Sequence, residues 1–382
     1  MEKTCDYNIC TGCGACSTVC PKNCISFIKG KMGHLFPKID VASCIDCKKC
    51  ERVCPALKTN DKIIPTKAYA AFTKDYNQYI SSTSGGASHC LAEMIIRNGG
   101  VVYGCSCLPG VNIEHIRIDN INHLYKIKGS KYVQSKAWSI YKPLKDDIKK
   151  GIPVLFFGTP CQCAAVKALF NSYPENLLLV DLICHGVPSN SFLTEYIHRK
   201  KIDLNSVANI SFRCNDKFIL EVLGYNDRNV LYSSQPLSSS IIDDGYYGPF
   251  FYGYNYRASC YSCQFAQPER CSDITIGDFW GLGRMNPKVN LENHDNGVSV
   301  ILPITAKGHN YVNILHDYMY MDERPVMEAI LGNNQLRHPK HKNFKIKVFD
   351  ILQPLFGIEK AYWILTIPTH LLAKLLRKFH II

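Results

Sequence analysis

CTGCGACSTVCP, residues 10–21, sets Cys10, Cys13, Cys16 and Cys20 in one short run and follows the last with Pro21. The same pattern returns as CIDCKKCERVCP at residues 44–55, carrying Cys44, Cys47, Cys50, Cys54 and Pro55. Spacings this short gather thiolates around one inorganic core. Tetrahedral zinc sites also use C-x2-C pairs, but they have no use for three closely spaced thiolates plus a remote fourth. Gly12 and Gly14 stand where the backbone must come close to whatever the thiolates hold.

Both runs resemble the bacterial ferredoxin signature, in which the fourth cysteine of each run serves the other cluster. The resemblance implies two [4Fe–4S] clusters in a domain spanning residues 1–57. One is held by Cys10, Cys13, Cys16 and Cys54, the other by Cys44, Cys47, Cys50 and Cys20. Cys5 and Cys24 fall outside the pattern and are read as non-ligands.

The wider composition agrees with a redox protein. The chain has 382 residues and 20 cysteines, too many for a reducing compartment unless most do chemistry. Disulfides are the competing explanation, but MEKTCDYNIC at the N-terminus lacks the apolar core of a signal peptide, so a cytoplasmic location is expected. The formal charge of +12 would suggest nucleic acid or an anionic membrane. Three clusters at about −2 each would leave only about +6, and no nucleic-acid partner is expected. No apolar run is long enough to span a membrane. At the C-terminus Leu371, Leu372, Leu375, Leu376 and Phe379 would share a helix face opposite Lys374, Arg377 and Lys378. Such a basic amphipathic tail either touches a membrane surface peripherally or packs on its own domain.

Beyond the polar segment 58–66 the texture alternates between strands and helices. Strands are expected at 67–73, from 101, and at 152–157 and 177–183, with helices at 87–98, 137–150, 161–170 and 191–201. From residue 207 antiparallel strands are expected at 207–213, 218–223 and 229–233, with Asn226-Asp227 as a turn. A last strand and helix cover 298–305 and 308–318. The expected fold class is α+β: a small ferredoxin-like N-terminal domain, then an α/β domain with an antiparallel β-containing C-terminal part. The divisions are 1–57, 66–200, 201–322 and a basic tail, 323–382.

Several segments after residue 66 resemble, in order, the beta subunit of coenzyme F420 hydrogenases and dehydrogenases. They are Ser84-Gly85-Gly86, KGSKYVQS at 128–135, GTPCQ at 158–162, Cys184-His185-Gly186, Cys260 with Cys263, and DITIGDFWG at 273–281. That resemblance implies an iron–sulfur flavoprotein whose 66–200 region binds FAD. Ser84, Gly85 and Gly86 would meet the flavin pyrophosphate at the start of the 87–98 helix, where free N–H groups favour anions. Lys131, Tyr132 and Ser135 would lie near the flavin ring, a lysine there stabilising the charge of the reduced flavin. A capped turn and a surface lysine loop are the plain alternatives.

Cys161 and Cys184 follow consecutive strands and should share the carboxyl edge of the sheet, where ligands bind. With Cys260 and Cys263 they make a candidate third [4Fe–4S] site, with Cys163 and Cys271 as rival ligands; buried inert thiols are the alternative. Asp278 and Trp280 are placed either near the ring system or in the core. His185 is the candidate acid. The implied function is a flavin- and iron–sulfur-dependent oxidoreductase, passing electrons between clusters and a flavin that exchanges hydride with an organic substrate or coenzyme. A redox partner protein or ferredoxin-like donor is expected, and the resemblance suggests a sugar-linked substrate. Two other readings remain: a non-catalytic electron-transfer subunit of a larger redox complex, and a module with a structural or sensing role.

Overall fold

The computed structural model describes residues 2–58, 61–214, 217–225, 229–235 and 244–367. The strands are β1 (Ile25–Lys29), β2 (Leu35–Ile39), β3 (Ala68–Thr73), β4 (Val101–Leu108), β5 (Asn112–Ile118), β6 (Val154–Gly158) and β7 (Leu177–Leu182). They continue with β8 (Val207–Ser211), β9 (Glu221–Gly224), β10 (Val230–Ser233), β11 (Ile274–Asp278), β12 (Ser299–Pro303) and β13 (Met319–Arg324). The fold is mixed α and β, as the alternating texture implies.

An eight-stranded sheet in the order β13-β3-β12-β11-β7-β6-β4-β5 organises the molecule. Its centre, β4-β6-β7-β11, is parallel. These strands are buried on both faces, which is why VLFFG at β6 and LLLVDL at β7 read as nearly continuous apolar runs. Antiparallel strands finish both edges. β5, the alternating NIEHIRI, was not anticipated; it pairs antiparallel with β4. β13 likewise begins where a helix was expected to end, and pairs along all of β3.

β1 and β2 form an antiparallel hairpin within the cysteine-rich N-terminal region. β8, β9 and β10 form a separate three-stranded antiparallel sheet. The Asn226-Asp227 turn lies outside the described residues, as does the amphipathic stretch from Leu371 to Phe379. Residues 326–367, placed by the sequence in a tail, form helices including Val326–Gly332 and Phe344–Phe356. Ile346, Phe349, Ile358, Ala361 and Tyr362 are buried in the same core as Phe192, Tyr246 and Phe250. Among the described residues no helix is long and apolar enough to cross a membrane.

The N-terminal region docks on the α/β part through specific contacts. Tyr141 Oη donates to the Cys13 carbonyl at 2.9 Å, and Gln134 Nε2 to the Thr11 carbonyl at 3.0 Å. Phe27 and Trp138 stack with centroids 4.2 Å apart. A Cβ on Gly14, whose φ is +78°, would fall 2.6 Å from Trp138, so this glycine serves the docking as well as the loop.

Candidate functional site

The paired cysteine runs fold as crossed sets. Cys10 and Cys54 share one small buried cluster with Cys5 and Phe36. Cys13 and Cys16 are close enough for their charges to act on one another and on Cys10 and Cys54. Cys20, Cys44, Cys47 and Cys50 line a second small hollow together with Cys24. The structure thus brings Cys10, Cys13, Cys16 and Cys54 near one another and sets Cys44, Cys47, Cys50 and Cys20 around the second hollow, with Cys16 also packed against Cys24 and Cys50. The sequence left Cys5 and Cys24 aside, yet each sits against a set: Cys24 Sγ lies 3.3 Å from Cys20 Sγ.

Thiol chemistry differs across the first set. Cys10 is pulled down to about 6, first by the thiol of Cys5 bonding to it, with burial opposing and the Arg257 guanidinium assisting. Burial pushes Cys13 up to about 11. Buried thiolates crowded this closely repel one another unless a positive core lies between them, and an iron–sulfur cubane supplies one. Among the described residues no three of His, Cys, Asp and Glu are arranged to hold a single metal ion. A cubane makes a different demand, one thiolate for each iron around a larger core.

A cleft of about 1250 Å³ opens above the carboxyl edge of the parallel strands, with Cys161, Cys184, Cys260 and Cys263 all on its wall. Local sequence explains the placement of Cys161. Gly158 ends β6, Thr159 caps the Pro160–Lys167 helix, and Pro160 starts it. The Thr159 N–H donates to Gln162 Oε1 at 3.0 Å, closing a capping box that presents Cys161 in the first turn. The hydroxyl of Thr159 lies 3.2 Å from Cys161 Sγ. Burial raises the thiols of all four cysteines, and charge from Cys263, Cys184 and Cys260 raises Cys161 further. Cys163 and Cys271 are absent from the cleft wall. Cys163 Sγ points to the Val180 carbonyl at 3.7 Å and Cys271 Sγ to the Pro160 carbonyl at 3.8 Å, both buried.

The expected flavin contacts gather on the same wall, with one exception. Ser84, Gly86, Lys131, Tyr132 and Ser135 line the cleft. Gly85 does not; a Cβ there would collide with the Ala71 carbonyl of β3 and the Ser299 N–H of β12, so it packs the loop onto the sheet. Ser84 Oγ is buried without a hydrogen-bond partner, beside the Ala87–Arg97 helix, which begins at Gly86 with no side-chain cap. Lys131 Nζ donates to the carbonyls of Lys128 and Gly129 at 2.7 and 3.1 Å, and burial holds it below the usual lysine range. A half-buried ammonium, an unpartnered hydroxyl and an uncapped helix start fit a ligand with anionic groups.

Further residues complete the wall. His115, which the sequence did not single out, bonds Phe157 O at 2.9 Å and Ser135 Oγ at 3.1 Å. Gln162 Nε2 reaches the same Ser135 Oγ at 3.1 Å, so Ser135 is held between β5 and the Cys161 helix. Burial and then the Lys340 charge lower His185 to about 4. With Gln335 Nε2 donating to its Nδ1 at 2.6 Å, the proton rests on Nε2. His185, the candidate acid, thus stands on the cleft wall with its Nε2 edge left to donate. Asp278 pairs with Arg213 at 2.8 Å, Trp280 faces the cleft half-exposed, and Phe279 is buried in the core.

Residues 9–57 match the family model of the 4Fe-4S dicluster domain. Residues 153–329 match the model for the C terminus of the coenzyme F420 hydrogenase/dehydrogenase beta chain. The F component of the F(420)H(2) dehydrogenase of Methanosarcina mazei is 21% identical over 228 residues, covering 54% of this chain. The aligned part spans 62% of that relative's own length. A chain of the xenon-derivatized F420-reducing [NiFe] hydrogenase complex from Methanosarcina barkeri superposes with a TM-score of 0.46 at 16% identity, covering 73% of this chain and 93% of that one. In order along the chain, residues 9–57 are thus similar to a 4Fe-4S dicluster domain and residues 153–329 to the C-terminal part of the coenzyme F420 hydrogenase/dehydrogenase beta subunit.

Proposed function

We propose that the protein is an iron–sulfur flavoprotein oxidoreductase, with two [4Fe–4S] clusters in the N-terminal domain, a third on Cys161, Cys184, Cys260 and Cys263, and FAD in the adjoining cleft. The observation that carries this reading is the single wall shared by those four cysteines, Ser84, Gly86, Lys131, Tyr132 and Ser135, and by Thr11 and Ala56 from the dicluster loops. Clusters pass single electrons and a flavin exchanges two as hydride, which is the chemistry these groups supply when bound.

The residues divide the work. Ser84 and the start of the Ala87–Arg97 helix receive the pyrophosphate, and Lys131 offsets negative charge at the ring. His185, held at Nδ1 by Gln335, would offer its Nε2 edge to a ligand in the cleft. Gln264 Nε2 donates to the Pro55 carbonyl at 2.8 Å, which ties the Cys263 loop to the residue after Cys54. An organic substrate or coenzyme would enter the same cleft. The matched relative is by name one component of a dehydrogenase, which favours a second reading, an electron-transfer subunit acting with a partner chain.

Anaerobic iron, sulfide and flavin analysis of the purified chain tests the proposal. About twelve irons with one flavin per chain are expected. The same iron without flavin overturns the flavoprotein reading and leaves the electron-transfer one.

A further inference from the structure

Arg257 is 1% exposed, a depth at which an uncompensated guanidinium is very costly. Other deeply buried arginines have carboxylates: Arg270 pairs with Asp181 at 2.7 Å and Arg324 with Glu328 at 2.8 Å. Arg257 makes no ion pair with a carboxylate among the described residues. Its Nε donates to the Cys10 carbonyl at 2.6 Å, Nη1 to Gln134 Oε1 at 3.1 Å, and Nη2 to the Leu35 carbonyl at 2.8 Å. The remaining contact is Nη2 to Cys10 Sγ at 3.5 Å, with the Phe36 ring 4.3 Å from the guanidinium carbon. The anionic group in its reach is therefore the thiolate of Cys10. Gly12 leaves room for it, since a Cβ at that position would fall 2.6 Å from Nη1.

We propose that Arg257 is a positioning residue that supplies the counter-charge for the cluster on Cys10, Cys13, Cys16 and Cys54 and raises its reduction potential. The proposal rests on the dicluster reading for the charge it requires. Four thiolates on an oxidised cubane carry about −2, and uptake of one electron, from a protein donor or a chemical titrant, takes the total to about −3. A fixed cation bonded to a ligating sulfur stabilises the reduced state more than the oxidised one. Among the described residues the twin set has no such buried cation: Lys22, Lys48 and Lys49 around its hollow, and Arg52, whose Nη2 donates to the Cys47 carbonyl at 3.0 Å, are exposed, where solvent and salt screen them. Arg257 also joins this cluster to the cleft. Its N–H donates to the Val187 carbonyl at 3.1 Å, and the Cys260 N–H donates to the Arg257 carbonyl at 2.9 Å, so one residue ties the Cys10, Cys184 and Cys260 loops together.

The test is a redox titration of the anaerobically reconstituted full chain, with dithionite as reductant and the reduced clusters read by paramagnetic resonance. In R257M one N-terminal cluster should shift to a lower potential while its twin holds still, and R257K should shift it less. Both clusters loaded and both potentials unmoved would overturn the proposal. Should R257M fail to load, 15N-arginine-labelled wild-type protein decides. A nitrogen coupling to a reduced cluster that R257K abolishes is expected; a coupling unchanged in R257K, or none, rejects the role of Arg257. Absence of any N-terminal iron sinks the dicluster reading itself, an outcome distinct from loaded clusters with unmoved potentials.

Discussion

At Cys161 and Cys163 a separation of two residues divides opposite fates. The capping box turns Cys161 toward the cleft, while Cys163, two residues further along the helix, faces the sheet and contacts the Val180 carbonyl. C161S should lose the third cluster, iron falling from about twelve to about eight per chain, while C163S keeps all of it. Iron analysis with equal loss in both variants would reject the assignment. His115 gives a pH expectation. Burial lowers it to about 4, so between the ordinary value of 6.5 and that point the unfolded chain takes up a proton that the folded one refuses. Its stabilising contribution is complete above pH 6.5 and fades as pH falls toward 4, a loss of about 3 kcal/mol at most. Denaturant melts of wild type and H115Q should therefore converge as pH drops. Residues tied to local spacing, such as the two cysteine runs, were legible in the sequence because a loop binding a cubane needs them close together. Arg257 carries no such signal: its partner Cys10 lies 247 positions away, and only the closed fold brings them into contact.

Among elements, the parallel strands and their helices could be read from apolar runs, because burial on both faces removes polar residues. β5 and β13 were missed for another reason: each is an edge strand whose polar face breaks the run. The crossing of the cysteine runs became legible through the ferredoxin likeness, while the wall contributed by Asn333, Gln335 and Lys340 had no motif to reveal it. The start of the Ala87–Arg97 helix makes its own prediction. An unpartnered buried hydroxyl costs free energy until a ligand bonds it. S84A should accordingly raise the stability of the flavin-free protein by roughly 0.5–1 kcal/mol and weaken flavin binding by about fivefold. Thermal melts and flavin titration separate the two effects, and a variant that loses stability without losing affinity would make Ser84 a structural residue.

On the scale of the whole molecule, the two N-terminal cysteine sets stand in unequal positions. Cys10, Cys13, Cys16 and Cys54 are buried, and the neighbouring Thr11 and Ala56 reach the cleft. Cys20, Cys44 and Cys47 are only half-buried, and beside them Val41 and Ile45 are 52% and 58% exposed with Lys48 and Lys49 nearby. On the proposed reading, an outer set at the surface and an inner set against the cleft would place the outer cluster between a protein partner and the cleft. A protein donor with an acidic rim around an apolar centre suits the outer face, since charge guides the encounter and the apolar pair provides contact. Removing the outer cluster should then separate two kinds of reduction. C47A is expected to lose about four irons and to slow reduction of the cleft by a reduced ferredoxin-type donor. Reduction by dithionite, small enough to enter the cleft directly, should keep its wild-type rate. Stopped-flow absorbance with each reductant measures both. Equal slowing by the two would mean that the substitution damaged the cleft, whereas an unchanged rate with the protein donor would place electron entry elsewhere on the molecule.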